Sequence, residues 1–105
     1  MKLIDDIRDL VAAHESEDSP TFLERVDGTL TAGYAHALQL EGERRRLQRR
    51  LGDVAAYSGE VRPEHRADEF ATVSRKLQST DEELSRLRTL LCALRDRRRL
   101  LQSTG

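Results

Sequence analysis

Two stretches of nearly equal length keep one apolar phase through several heptads, and few folds accommodate that pattern. Counting from Leu23, the a positions of a seven-residue repeat are Leu23, Leu30, Ala37, Arg44 and Leu51, and the d positions are Val26, Gly33, Leu40, Leu47 and Val54. Counting from Phe70, they are Phe70, Leu77, Leu84, Leu91 and Arg98 at a, with Val73, Thr80, Leu87, Leu94 and Leu101 at d. A spacing that averages 3.5 residues keeps a single stripe of a helix against a neighbouring helix. The segment between them, "YSGEVRPEH", has Gly59 and Pro63 as turn signals and is too short for anything but a reversal. The pattern therefore predicts an antiparallel coiled-coil helical hairpin in an all-α protein, with helices over 20–57 and 63–102.

The ends of these helices are marked by local chemistry. Ser19 is placed to cap the first long helix with Pro20 in its first turn, and Thr21 with Glu24 offers an alternative capping box. Pro63, Glu64, Asp68 and Glu69 suit the opening of the second. "STDEE" at 79–83 resembles a cap, but the apolar phase runs through it, which predicts a continuous helix. Upstream, Leu3, Ile4, Ile7, Leu10 and Val11 share one face of a short amphipathic helix over 1–15. With 105 residues the chain makes at most one domain, 1–105, and only about two-thirds of its unfolded surface can be buried.

Folding the hairpin about residue 62 pairs positions equidistant from it. Val54 then meets Phe70, Leu51 meets Val73, Leu47 meets Leu77, and Arg44 meets Thr80. Nearer the termini, Gly33 meets Leu91 and Val26 meets Arg98. Arg50 is expected near Glu69, Glu43 near Lys76 and Asp27 near Arg95, whereas Glu41 near Asp81 is a like-charge mismatch. Leu38, Leu90 and Leu100 lie off the seam. The surplus apolar surface has two competing uses: the first helix folds back and covers Leu90, or two copies associate into a four-helix homodimer.

This register also explains the arginine run "EGERRRLQRRLGDV". Leu47 and Leu51 turn into the seam, Arg45, Arg46 and Arg49 turn to solvent, and Arg44 sits at a seam position from which its long stem reaches outward. The run is first of all the wet face of a buried helix, and second a candidate basic patch. Charge is unevenly divided: residues 1–43 carry ten acids and three bases, and residues 44–105 nine acids and fifteen bases, for a net charge of -1. That balance argues against a globally basic nucleic-acid binder. The four aromatics are scattered rather than interleaved with the arginines.

Catalytic patterns are absent. His14, His36 and His65 stand in different segments without metal-ligand spacing, and no nucleophile, base and orienting acid come together. Neither cofactor nor metal is expected, and the chain reads as a non-enzyme. Cys92 is the single cysteine, expected to be a half-buried, inert thiol, and it fits a reducing compartment. No apolar run approaches the roughly 20 residues of a membrane span, and Asp5 and Asp6 follow Met1-Lys2 where a signal sequence would be apolar. A cytoplasmic location without membrane contact is the expectation.

Tyr57-Ser58-Gly59 between two equal helices resembles the turn of the small type VII secretion substrates, with tyrosine in place of their tryptophan. The hairpin with Glu60 and Glu64 at its turn is similar to the acid-tipped coiled coil of Gre-type transcript cleavage factors, without their globular domain. The arrangement as a whole points to an arginine-rich adaptor that presents a helical face or its turn to a protein partner, with Arg45, Arg46, Arg49, Glu60, Glu64 and Leu90 as the contact residues. The alternative is a nucleic-acid- or RNA-polymerase-associated hairpin that uses the arginine face and the acidic tip.

Overall fold

A computed structural model describes residues 2–13, 20–56 and 63–103. It contains three helices, α1 (Lys2–Ala12), α2 (Pro20–Ala56) and α3 (Pro63–Ser103), and no strand among the described residues. The two long helices pack against each other as a helical hairpin. Both long helices begin at the prolines that the sequence marks. Proline suits a first turn because its missing N–H has no intrahelical acceptor there. The stretch 79–83 is helical throughout, with Gln78 donating to Glu82 one turn on at 3.4 Å. Ser19 and the turn residues Tyr57, Ser58, Gly59 and Glu60 lie outside the described residues.

The hairpin register follows the heptads. The Cβ that Gly33 lacks would fall against the Leu91 side chain, and Val54 lines a groove with Phe70. Packing divides the chain into two compact units, one made of 1–38 with 85–105 and one of 39–84.

The first unit has three helices. Ile4, Ile7 and Leu10 of α1 are buried, as are Phe22, Val26, Leu30 and Ala37 of α2 and Leu87, Leu91 and Leu94 of α3. Leu87 and Leu94 retain no solvent exposure, a degree of closure that two helices alone do not give, because a two-helix seam stays open on both flanks. Here α1 closes one flank. The folded-back use of the first helix is thus realised in this unit, with the Ile7 side chain 3.6 Å from the missing Cβ of Gly33.

The second unit is a two-helix pair, and its seam is correspondingly wetter. Leu40, Val54, Val73, Thr80 and Leu84 are buried, whereas Leu47, Leu51 and Leu77 are half-buried. Phe70 departs from the seam expectation at 43% exposure. Among the described residues, no third element covers the outer edge of a ring of that size at the end of a two-helix seam.

Candidate interaction surfaces

In the two-helix unit, the arginine run separates into paired and unpaired members. Arg50 donates to the Glu69 carboxylate through Nε at 3.3 Å and Nη2 at 3.1 Å, as its flanking position predicts. Arg44 reaches out of the seam to Asp81 at 3.6 Å. That pair supplies a counter-charge for the carboxylate that a bare heptad diagram sets against Glu41. Arg45, Arg46 and Arg49 are exposed and make no side-chain ion pair among the described residues. Glu64 is exposed at the start of α3, and Glu60 lies outside the described residues. Near the start of α3 a groove of about 340 Å³ is lined by Val54, Ala55, Arg66, Ala67 and Phe70.

Leu90 belongs to the three-helix unit, where it is half-buried. Of the residues expected to meet a partner, Arg45, Arg46, Arg49 and Glu64 belong to one unit and Leu90 to the other.

Two further features of the three-helix unit were not read from the sequence. Arg97 donates from Nη1 to the Val11 carbonyl at 3.1 Å and from Nη2 to the Ala13 carbonyl, and its guanidinium stands 5.5 Å from the Phe22 ring centroid. The last carbonyls of a helix have no intrahelical donor, so Arg97 satisfies the end of α1 and holds it over Phe22. This also explains why Phe22, not the a-position Leu23, is the buried residue at that level. The signal was a cation in the last turns of α3 with a phenylalanine early in α2, which periodicity alone does not link.

The second feature is Asp27, expected near Arg95 but held by Arg98, which reaches it through Nε and through Nη2 at 3.3 Å. Arg98 thus leaves its assigned seam layer with Val26 and turns to the carboxylate on the next residue. The hydrogen bond to Asp27 raises the Arg98 guanidinium above its ordinary value, loss of solvation opposes this, and the neighbouring negative charge adds to the rise. Arg95 lies 3.7 Å from Asp96 instead.

The large apolar side chains left exposed in this unit are Tyr34 at 45%, Leu38 at 68% and Leu100 at 67%. Cys92 is exposed, not half-buried as its place beside the seam predicts. A polar groove of about 370 Å³ runs between α1 and α2, lined by Lys2, Asp6, Asp9, Leu10, Arg25, Gly28 and Thr29. Among the described residues, no group of His, Cys, Asp and Glu is arranged to hold a metal ion, and no helix is long and apolar enough to cross a membrane.

No family model, curated protein or solved structure matches the chain.

Proposed function

We propose that the chain is a non-enzymatic protein–protein interaction module that presents a preformed helical face to a protein partner. The observation that carries this reading is the exposure of Tyr34 and Leu38 within a unit whose seam residues Leu30, Leu87, Leu91 and Leu94 are buried. Tyrosine at the surface of a rigid helix brings a large contact area at little entropic expense, and such residues are enriched where proteins meet. The lone, exposed Cys92 suits a reducing compartment, so we place the module in the cytoplasm.

A second reading, a nucleic-acid- or polymerase-associated hairpin, is favoured by one observation: Arg45, Arg46 and Arg49 remain exposed after Arg44 and Arg50 have taken their acids. The two readings separate by in-cell cross-linking in the native host. Tyr34→Ala with Leu38→Glu removes the cross-linked protein species if the module reading is right, while reversal of the three arginines leaves it. The opposite pattern supports nucleic acid. In that case affinity for an oligonucleotide falls about 40-fold between about 50 and 200 mM salt, the slope for three neutralised phosphates.

A further inference from the structure

The three-helix unit has two flanks along its α2/α3 seam, and α1 occupies one. Phe22 and Arg97, which touch each other, mark that side, with α1 against Arg97. At 100° per residue, Tyr34 lies about 120° around α2 from Phe22 with the seam between them. Cys92 lies about 220° around α3 from Arg97 when counted through the seam, toward the outer face of α3. Tyr34 and Leu38 stand one turn apart on α2, and Arg88, Cys92, Arg95 and Arg99 form one stripe of α3. All of these residues are exposed. The uncovered flank is thus an apolar strip edged by arginines.

The chemistry of a suitable occupant follows from what covers the first flank and from charge. The groove on the first flank accepts an amphipathic helix with apolar residues every third position, Ile4, Ile7 and Leu10. The second flank belongs to the same two helices. Asp27, the acid on the α2 side of this flank, is already held by Arg98. Arg95, 3.7 Å from the exposed Asp96, and Arg99 are exposed along the α3 stripe of this flank.

We propose that this flank docks an acidic amphipathic helix of a partner protein, seated on Tyr34, Leu38 and Cys92 with its carboxylates toward Arg95 and Arg99. The proposal rests on the interaction-module reading and adds the partner's chemistry to it. Complementary charge directs the encounter and the apolar strip supplies the contact. A second copy is the poorer occupant, because a two-fold axis centred on this flank sets arginines against arginines.

The test uses the full chain and a labelled peptide of about 18 residues, long enough for five helical turns, with leucines at helical spacing, glutamates beside them and alanines behind. The control peptide carries lysine in place of glutamate. The glutamate peptide is expected to bind saturably by fluorescence anisotropy, about tenfold or more tighter than the lysine peptide because like charges across an interface are penalised. At saturation it should slow alkylation of Cys92, the only cysteine. Tyr34→Ala and Arg95→Glu, both at exposed positions, should weaken binding while circular dichroism remains unchanged.

Equal binding of both peptides, no saturable binding, or binding that leaves Cys92 alkylation unaffected overturns the proposal. So does peptide-free protection of Cys92 that grows with protein concentration, which assigns the flank to a second copy. Stronger protection by a single-stranded oligonucleotide than by the glutamate peptide overturns it as well. If the peptide fails but cross-links in the native host still depend on Tyr34 and Leu38, only the partner chemistry is wrong. If those cross-links also persist without Tyr34 and Leu38, the module reading falls with it.

Discussion

Replacing Gly33 with alanine adds a single methyl group, and the structure fixes where that methyl goes. Its Cβ would lie 2.4 Å from Cδ2 and 3.4 Å from Cγ of Leu91, with Cδ1 of Ile7 at 3.6 Å. Carbon atoms in good contact sit about 3.5–4.0 Å apart, so Leu91 must yield by more than about 1 Å. Leu91 is buried, and Ile7 of α1 also lies within contact of the added Cβ. Helix propensity favours the mutant by about 1 kcal/mol, whereas overpacking a filled layer costs about 1–3 kcal/mol. The net expectation is a loss of about 0–2 kcal/mol for Gly33→Ala, and a larger loss for Gly33→Leu, whose added branch needs space already filled by Leu91.

At this chain length each lost kcal/mol lowers Tm by about 4–8 °C, a difference that thermal unfolding followed by circular dichroism resolves. Gly28→Ala supplies the internal control. Its added Cβ meets nothing within 4 Å, so propensity acts alone and should stabilise by about 0.5–1 kcal/mol. Gly33→Ala combined with Leu91→Ala should be less destabilising than the two single changes summed, because the second change removes the collision. A rise in Tm for Gly33→Ala comparable to that for Gly28→Ala would refute the close approach, and with it the pairing of α2 with α3 at this layer.

Arg97→Met should keep much of the packing against Phe22 but leave the Val11 and Ala13 carbonyls without their donor, at about 1–3 kcal/mol; hydrogen exchange should rise in α1 before it rises in the hairpin. Leu87→Ala removes a side chain with no exposure and should cost about 2–5 kcal/mol in urea unfolding, whereas Leu38→Ala, exposed at 68%, should stay within about 0.5 kcal/mol. Leu47→Asp should destabilise the two-helix unit clearly more than Arg46→Asp, since residue 47 turns to the seam and residue 46 to solvent; equal Tm shifts for the two would mean that the heptad phase is wrong.

The sequence by itself determined the helices, the hairpin and much of the arginine pattern. A strict seven-residue apolar repeat holds one face of a helix toward one neighbour over its whole length, and proline at a first turn marks where such a helix begins. That is why Gly33 and Leu91, at matching distances from the turn, meet in the structure, and why Arg50 finds Glu69. The amphipathic character of α1 was equally legible, but its place was not. Ile4, Ile7 and Leu10 require a groove, and a hairpin seam has two flanks of similar width.

Tertiary structure decided between those flanks through contacts that no period records. Arg97 reaches the end of α1 and lies by Phe22, drawing Phe22 inward, and the flank with Tyr34, Leu38 and Cys92 remains exposed. Long side chains made the other unread choices: Arg44 leaves the seam for Asp81, and Arg98 takes the carboxylate expected beside Arg95. Periodicity places a Cβ on a helix face to within a fraction of a turn. An arginine extends its charge several ångströms beyond that point, so the acid it selects depends on which backbones the folded chain brings within its reach.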